Sequence, residues 1–360
     1  MPREARTVGV IGLGYGRAHI PGFQANGCRV VAVCQRDQAA AKKIADAYGV
    51  PQVFARWQDM LERTQPEVVV VATPPHLHRD IALGAFAAGA HVLCEKPIAM
   101  THAEARAMVD AAARAGRVAM TGFNWRFPAA MQRLHAMIQD GFVGRVLHVT
   151  GRWFGARWAD EASAATWRMD RAQAGHGAMG DMGVHLVDLV RWTCGDVRRL
   201  VAHGGIAYPR TVPGTARAAD AEDYATVVAE LTSGAQATLA VSRAAHGRND
   251  HLLEIYGTRG AFAYRLTREQ PRWYAGELQA AASGSAFQPV AVDAPVVDGG
   301  DQMDVLGKAT IGPLVAQMLQ AIRDGRPAAP SLADGLNAQL VLDAVLDSIS
   351  RRAWVEVPTS

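Results

Sequence analysis

The sequence contains few cysteines. Four occur among 360 residues, and none follow the Cys-x-x-Cys spacing that is typical of many zinc and redox sites. Three lie in or beside predicted strands, which is typical of buried free thiols. We therefore interpret the four cysteines as reduced core residues of a cytoplasmic protein: Cys28, Cys34, Cys94 and Cys194.

Blocks of like charge and long apolar segments are also absent. Lysine plus arginine number 37 against 34 for aspartate plus glutamate, a net charge of +3, so we expect neither nucleic acid nor a membrane surface as a partner. The first residues, Met-Pro-Arg-Glu-Ala-Arg, lead into a strand without an apolar signal region. No later segment reaches the length expected of a membrane span.

Metal-binding patterns have little support. His76 and His78 are two residues apart, but no cysteine or carboxylate lies close to them in the sequence. Zinc sites need three or four such ligands. We predict that the protein binds no metal.

The chain is long enough for two domains, since 360 residues with 49% hydrophobic composition can form two cores. Strand and helix patterns alternate up to Gly122, which predicts a doubly wound parallel sheet over residues 1–122, a Rossmann domain that binds a dinucleotide. The predicted strands after the first are Arg29–Cys34, Glu67–Ala72, His91–Leu93 and Val118–Thr121, and the predicted helices are Gln38–Tyr48, Leu77–Ala88 and His102–Ala115.

Residues 123–360 have a different pattern, in which four consecutive strands between Tyr224 and Tyr264 have no helix between them. This predicts an α+β domain with a largely antiparallel open sheet, which binds substrate and mediates oligomerisation. An open sheet leaves one face uncovered, so we expect a homodimer or homotetramer formed through that face. The predicted strands are Arg145–Phe154, Tyr224–Leu231, Ala237–Arg243, His251–Tyr256, Ala261–Tyr264 and Trp354–Val357, and the predicted helices are Ala129–Asp140, Asp181–Trp192, Ile311–Arg323 and Leu332–Ser350.

A glycine-rich turn follows the first strand. Gly12-Leu-Gly14-Tyr-Gly16 comes directly after a β-branched run, and such a turn lets the backbone approach a pyrophosphate at a helix N-terminus. A strand-to-helix turn also needs glycine for steric reasons alone. Arg17 stands where the third glycine of G-x-G-x-x-G would be, so we expect altered contacts in the first helical turn.

Two further clusters carry reactive side chains. Glu95-Lys96-Pro97 follows a predicted strand, where a lysine lies on the ligand-binding side of a parallel sheet; the proline fixes the local backbone, for example through a cis bond. The alternative is a charged pair that ends a strand at the surface. Asp181 and His185 are four residues apart on a predicted helix, so the carboxylate can orient the imidazole for proton transfer. The alternative is a helix cap and a structural histidine.

Taken together, these motifs resemble the Gfo/Idh/MocA oxidoreductases over nearly the whole chain. The resemblance implies an NAD(P)-dependent dehydrogenase that acts on the CH–OH group of a sugar, inositol or related polyol. The motifs are Gly12-Leu-Gly14, Thr73-Pro74-Pro75-His76-Leu-His78, Glu95-Lys96-Pro97, Gly122-Phe-Asn124-Trp-Arg126-Phe127, Asp181-x-Gly183-x-His185-x-x-Asp188 and Asp334-Gly335-Leu336.

The resemblance also implies residue roles. Lys96 would contact the reacting hydroxyl and the nicotinamide ribose, His185 would transfer the proton, and Asp181 would orient His185 and contact the substrate. Further substrate contacts are expected from Asn124 and Arg126. The expected cofactor contacts are Gly12, Gly14, Tyr15, Gly16, Gln35, Arg36, Thr73, Pro74, His78, Glu95, Lys96, Trp167 and Arg168.

Three questions stay open at this point. Gln35 replaces the acid that usually binds the ribose of NAD, and Arg36 could pair with a 2′-phosphate, so we favour NADP, although Asp37 argues for caution. His176 stands where the family has glycine, and it either lines the substrate pocket or faces solvent. Alternative functions are glycoside cleavage or epimerisation with a retained cofactor, a dihydrodiol dehydrogenase, and a non-catalytic nucleotide sensor, which would not need Lys96, Asp181 and His185.

Overall fold

The computed structural model of the chain describes residues 5–267, 272–298 and 300–359. The chain forms two compact units. Unit 1 consists of Met1–Asn124 and Val297–Leu336, and unit 2 consists of Trp125–Val296 and Asn337–Ser360.

Unit 1 contains a parallel sheet of six strands. The strands lie in the order β3-β2-β1-β4-β5-β6, the order of the doubly wound dinucleotide-binding fold. The central strand β4 consists of four valines, all fully buried, as expected for a strand covered on both faces. The strands are β1 (Thr7–Ile11), β2 (Arg29–Cys34), β3 (Gln52–Phe54), β4 (Val68–Val71), β5 (His91–Cys94) and β6 (Ala119–Thr121), and the helices between them are α1 (His19–Gln24), α2 (Gln38–Tyr48), α3 (Trp57–Thr64), α4 (His78–Ala87) and α5 (His102–Ala115).

Local capping explains why helix α2 begins and ends where the sequence predicts. The Asp37 side chain accepts a hydrogen bond from the Ala40 N–H at 3.0 Å, and Gly49 ends the helix with a φ of 66°. An acceptor at the start and a left-handed glycine at the end satisfy backbone groups that a helix leaves unpaired. Helix α5 is bounded in the same way by Thr101 and Gly116.

Unit 2 contains a mostly antiparallel sheet of nine strands, in the order β14-β13-β12-β11-β7-β10-β9-β8-β15. Strands β7 and β10 pair in parallel. The predicted fold class, a parallel sheet followed by an α+β part with an open antiparallel sheet, is therefore confirmed. The strands are β7 (Val146–Gly155), β8 (Val197–Gly205), β9 (Tyr224–Leu231), β10 (Gln236–Ser242), β11 (Asn249–Gly257), β12 (Gly260–Thr267), β13 (Glu277–Ala282), β14 (Gln288–Pro289) and β15 (Val355–Glu356), and the helices before residue 200 are α6 (Ala129–Gln139), α7 (Arg171–Ala174) and α8 (Val184–Cys194).

One face of the nine-stranded sheet is covered and the other is exposed. On β7, Val149 and Trp153 are buried and alternate with the exposed residues His148 and Thr150. Leu186 of α8 packs against the buried face near Gly151. The predicted helix Asp181–Trp192 differs at its start, because a π-turn over Met179–Gly183 precedes α8.

The segment Val297–Leu336 differs from the sequence-based division, which placed all residues after 122 in the second domain. It belongs to unit 1, because Gly307 and Gly22 allow its backbone to lie against α1; a Cβ on Gly307 would be 2.3 Å from the Ala18 carbonyl oxygen. The segment contains α9 (Gln302–Leu306), a π-turn (Gly307–Ile311), α10 (Gly312–Asp324) and the start of α11 (Leu332–Arg351).

The helical run Gln302–Asp324 is 23 residues long and apolar enough to span a membrane by length and composition. The expectation that no segment reaches the length of a membrane span does not hold for this run, because α9, the π-turn and α10 are continuous. About 61% of the apolar 18-residue stretch within this run is buried inside the protein. This burial is typical of a core helix in a folded domain.

A buried ion pair lies in the core of unit 2. The Arg126 Nε donates to Asp188 Oδ2 at 2.8 Å and the Nη2 donates to Oδ1 at 2.5 Å. The Arg126 and Asp188 side chains are 5% and 1% exposed, and the guanidinium lies over the Trp192 ring. A two-point bond of this kind fixes α8 against the segment that precedes α6.

We predict that Arg126→Met lowers the free energy of unfolding by about 3–5 kcal/mol, because Asp188 is left as a buried charge without its partner. The double variant Arg126→Met/Asp188→Leu should recover much of this loss, since both charges are removed together. Denaturant unfolding measures both. Lys42→Met, which breaks an ion pair between exposed side chains, is the control and should change little; a single Arg126 variant as stable as the wild type would contradict the prediction.

Candidate active site

The glycine turn after β1 is fixed by close contact with the end of β4. Gly12 has a φ of +88°, and a Cβ there would lie 2.5 Å from the Ala72 carbonyl oxygen. A Cβ on Gly16 would lie 2.8 Å from the Ala72 Cβ, whereas the space beside Gly14 is open. Two of the glycines are thus required by packing, and the third leaves its backbone accessible.

Arg17, in the place of the third glycine, lies in a 3₁₀ turn over Gly16–Ala18 that comes before α1. Its guanidinium donates to Asp301 at 2.6 Å. The altered loop is therefore accommodated by a tighter turn and an ion pair with the Val297–Leu336 segment of the same unit.

The end of β2 supports this turn. The Leu13 N–H donates to the Gln35 side-chain oxygen at 3.2 Å. Arg36 is exposed, and the Asp37 carboxylate caps α2. Gln35 thus contacts the glycine turn directly, which the sequence did not indicate.

The end of β4 carries Thr73 and Pro74. The Thr73 hydroxyl oxygen is buried and has no hydrogen-bond partner among the described residues. His78 is 1% exposed, and its ring nitrogens lie 2.7 Å from the Thr73 carbonyl oxygen and 2.9 Å from that of Pro97. Burial lowers the pKa of His78. A neutral imidazole has a single N–H, so the ring donates to only one of these two carbonyl oxygens while it lies buried between the Thr73 and Pro97 loops.

The end of β5 carries Glu95 and Lys96, and the Lys96–Pro97 bond is cis. Glu95 is 5% exposed; its Oε1 lies 2.7 Å from His19 Nε2, and its Oε2 accepts from the Lys96 N–H at 3.3 Å. Glu95 therefore connects His19, at the start of α1, to the backbone of Lys96. His19 was not predicted as a site residue, because nothing in the sequence spacing pairs it with Glu95.

The end of β6 carries Asn124, which is 1% exposed. Its Nδ2 donates to the Thr310 hydroxyl at 2.9 Å. Its Oδ1 is buried without a hydrogen-bond partner among the described residues. The amide is thus held on one side and has an unused acceptor on the other.

These features fit a bound dinucleotide. In open parallel sheets ligands bind at the carboxyl ends of the strands, and the predicted residues of unit 1 all lie at that edge. The open space beside Gly14 allows close approach, and the buried Thr73 hydroxyl has hydrogen-bonding capacity that the protein leaves unused.

In unit 2 the π-turn and α8 carry Asp181 and His185. The Asp181 side chain is 27% exposed, and its Oδ1 lies 3.6 Å from the Arg168 Nε. His185 is 3% exposed, and its ring lies 5.4 Å from that of Trp153 and 6.3 Å edge-on from that of Trp125. A partly exposed carboxylate and an imidazole in an aromatic environment are therefore placed four residues apart.

Trp167 and Arg168 lie beside this pair in the same unit. The Arg168 guanidinium carbon lies 4.3 Å from the centre of the Trp167 ring, an attractive cation–π distance. The predicted cofactor contact Arg168 is thus also the ion-pair partner of the predicted catalytic Asp181.

His176 does not face solvent. Its side chain is fully buried, and its Nε2 lies 3.1 Å from the Gln339 Nε2 and 3.5 Å from Asp343 Oδ1, both on α11. This excludes the solvent-facing alternative. Arg126, predicted to bind substrate, has its guanidinium in the Asp188 ion pair, which gives it a structural role; its substrate contact stays a prediction.

Within the described ranges, no group of three or more histidine, cysteine, aspartate or glutamate side chains is arranged to hold a metal ion. The expectation that the protein binds no metal stays a prediction.

Comparison with known proteins gives the family. Residues 6–123 match the oxidoreductase family with an NAD-binding Rossmann fold, and residues 131–263 match the GFO/IDH/MocA C-terminal domain. The chain is 30% identical to levoglucosan dehydrogenase of Pseudarthrobacter phenanthrenivorans over 98% of both chains. It is 27% identical to inositol 2-dehydrogenase of Rhizobium meliloti, covering 97% of this chain and 98% of that one.

A solved structure of levoglucosan dehydrogenase in complex with NADH has a TM-score of 0.89 and 28% identity, covering 99% of this chain and 100% of that one. The strand order of unit 1 and the motifs at its carboxyl edge agree with these matches. The chain therefore belongs to the Gfo/Idh/MocA family of NAD-binding oxidoreductases.

Proposed function

We propose that this protein interconverts a hydroxyl and a carbonyl on a sugar, inositol or related polyol by hydride transfer with NAD or NADP. The observation that carries the proposal is that Lys96, Asp181 and His185 all occur in a chain that matches a levoglucosan dehydrogenase from end to end. A protein that only sensed the nucleotide would have no use for a proton-transfer pair.

The residues of unit 1 bind the dinucleotide and prepare the hydroxyl. The Gly12–Gly16 backbone, Thr73 and Lys96 hold the cofactor, which supplies the hydride acceptor or donor when bound. The Lys96 ammonium group donates a hydrogen bond to the substrate oxygen, and its charge stabilises the alkoxide that develops as the hydride leaves. The Glu95 bond to the Lys96 N–H keeps the backbone of this lysine in place.

The residues of unit 2 move the proton. His185 accepts the hydroxyl proton as a neutral imidazole during oxidation and returns it as the imidazolium during reduction. Asp181 orients His185 and contacts the substrate. Trp125 and Trp153 keep water from the buried ring, and Arg168 restrains the Asp181 carboxylate.

We predict that Lys96→Ala and His185→Ala each lower kcat by about 100-fold or more, because each removes a group that acts in the transition state. His185→Ala should leave the Kd for the dinucleotide nearly unchanged. Nicotinamide absorbance measures turnover against a panel of levoglucosan, inositols, aldoses, glycosides and sugar acids. Lys42→Ala and His102→Ala, at exposed positions, are the matched controls.

Near-normal turnover in both variants would refute the mechanism. Substrate conversion without net accumulation of reduced or oxidised cofactor would instead identify an enzyme that keeps its nucleotide bound through the cycle. No turnover with any member of the panel, despite tight cofactor binding, would favour a sensor.

We propose NADP as the preferred dinucleotide. Gln35 carries no charge that would repel a 2′-phosphate, and its side chain is engaged with the Leu13 N–H. Arg36 is exposed and can pair with a phosphate. The Asp37 carboxylate, the reason for caution in the sequence, is used as the α2 cap.

The expected result is a lower Kd for NADPH than for NADH, measured by fluorescence titration. Arg36→Ala should weaken NADPH binding by about tenfold, the effect of one lost charge-assisted contact, and leave NADH binding nearly unchanged. Gln35→Glu keeps an oxygen for the Leu13 N–H and adds a charge, so it should shift the preference to NADH. A wild-type preference for NADH, the dinucleotide in the solved relative, would overturn this proposal.

We also propose that the protein is a homodimer or homotetramer formed through the exposed face of the nine-stranded sheet. Adjacent strands place Val201, Val228, Thr238 and Thr150 side by side on that face, a row without charge across four strands. Tyr224 and Val228 are each 39% exposed. Uncharged surface of this kind is stabilised when a second copy covers it.

Light scattering at micromolar concentration should give at least twice the 38.4 kDa mass of the chain. Val228→Arg should lower the mass to that of one chain, because a buried unpaired charge at the interface is costly. Val296→Arg, at a 73% exposed position outside the sheet, should not. A wild-type protein with the mass of one chain would contradict the proposal.

A further inference from the structure

Glu222 holds three consecutive backbone N–H groups in unit 2. Its carboxylate Oε1 accepts from the Gly177 N–H at 2.8 Å and from the Met179 N–H at 3.2 Å. Its main-chain oxygen accepts from the Ala178 N–H at 2.7 Å. N–H groups at the start of a helical segment have no partner within the helix, and here one residue supplies all three acceptors.

The contact leaves no freedom at this point of the backbone. A Cβ on Gly177 would lie 2.0 Å from the Glu222 carbonyl oxygen and 2.5 Å from its nitrogen, so the two backbones touch only because residue 177 is glycine. Glu222 is 4% exposed, and its Oε2 lies 3.6 Å from the Arg171 guanidinium. The π-turn Met179–Gly183 that carries Asp181 therefore begins from a fixed base.

The next residue, Asp223, restrains the other side of the same site. Its Oδ1 accepts from the Arg243 Nε at 2.8 Å, and the Arg243 Nη1 donates to the Arg168 carbonyl oxygen at 3.0 Å. Arg243 is 1% exposed. Glu222 thus bonds the backbone just before Asp181, and Asp223 acts through Arg243 on the backbone of Arg168, whose side chain pairs with that of Asp181.

We propose that Glu222 is a positioning residue for proton transfer. It fixes the start of the π-turn, and through it the placement of Asp181 and of His185 at the beginning of α8. This inference rests on the proposed function, since it assumes that Asp181 and His185 move the proton. It assigns a role to a residue that the sequence motifs do not include.

The chemistry predicts how substitutions at Glu222 differ. Glu222→Gln keeps an oxygen that can accept both N–H groups and loses only the charge toward Arg171, which is 41% exposed. Glu222→Asp keeps the charge but withdraws the carboxylate by one methylene. Glu222→Ala removes the acceptor and leaves two buried N–H groups unsatisfied.

The test compares kcat, KM, the pH dependence of kcat and the dinucleotide Kd in the wild type and these variants, with rates expressed per dinucleotide-binding site. Glu222→Ala should lower kcat by about 10- to 100-fold and shift the pH profile. The dinucleotide Kd should stay within about twofold of the wild type, because Glu222 bonds Gly177, Ala178 and Met179, which are not among the expected cofactor contacts. The kcat of Glu222→Asp should lie between those of the wild type and Glu222→Ala. Glu222→Gln should have a kcat within about threefold of the wild type.

The control is Glu67→Ala. Glu67 also accepts from a backbone N–H, that of Thr7, and pairs with an arginine, Arg6, but it lies at the opposite edge of the parallel sheet from Lys96. Its loss should leave kcat and the pH profile unchanged. If Glu222→Ala does not fold, the Glu222→Asp and Glu222→Gln pair still decides the question.

Hydrogen–deuterium exchange of peptides covering residues 175–186 gives a second readout that needs no turnover. Faster exchange is expected in Glu222→Ala and near-wild-type exchange in Glu222→Gln. Wild-type kcat and pH profile in Glu222→Ala, in an enzyme that His185→Ala inactivates, would overturn the inference alone. A wild type inactive on every substrate, with the exchange difference present, would refute the proposed function and leave Glu222 with a purely structural restraint, which also overturns its catalytic role.

Discussion

The contact between Gly12 and Ala72 is the constraint on which the cofactor edge depends. A Cβ on Gly12 would lie only 2.5 Å from the Ala72 carbonyl oxygen. The turn after β1 can therefore lie against the end of β4 only because residue 12 is glycine. This contact brings the ends of the two central strands together. The backbones of Leu13 and Thr73 are therefore fixed. Gln35 contacts the first and His78 the second.

Unit 2 contains a similar close backbone contact at a glycine, Gly177. Gly177 lies against the Glu222 backbone as closely as Gly12 lies against Ala72, and in both cases a missing side chain lets two segments that are distant in sequence meet. The difference lies in what satisfies the backbone. Beside Gly12 a neutral glutamine accepts one N–H, whereas beside Gly177 a buried carboxylate accepts two, which is the stronger arrangement because the acceptor is ionised.

The parts of the fold that the sequence predicts are those fixed by local chemistry. Helix α2 begins and ends as predicted because Asp37 and Gly49 cap it, and both β4 and the glycine turn follow from β-branched runs and steric need. Strand β8 was not predicted, because its arginines and glycines interrupt the alternation of apolar and polar residues. Strand β3 was also not predicted, because it has only three residues and Pro51 directly precedes it. The return of Val297–Leu336 to unit 1 depends on contacts between segments far apart in sequence, which periodicity does not report.

In the candidate site, too, some features follow from the sequence and others depend on tertiary packing. The strand pattern predicts that Lys96 lies at the carboxyl edge of the parallel sheet, but it does not show which partner each buried polar group finds. Asn124 and Arg126 are two residues apart, yet one bonds Thr310 and the other Asp188. Glu222 has no motif at all. Partners of this kind are selected by tertiary packing, because a buried polar group must be paired wherever the fold provides a complement.

Burial separates the structural acids from the one proposed to act on substrate. The acids at 5% exposure or less each face a cation or an imidazole, as a buried charge requires: Glu95 with His19, Asp170 with Arg217, Asp188 with Arg126, Glu222 with Arg171, Asp223 with Arg243, and Asp250 with Arg152. The Asp181 side chain is 27% exposed and lies 3.6 Å from Arg168, a looser contact than the 2.5–2.8 Å bonds of Asp188. Within unit 2, the buried acids thus hold the framework, and the more exposed Asp181 is the acid proposed to act on substrate.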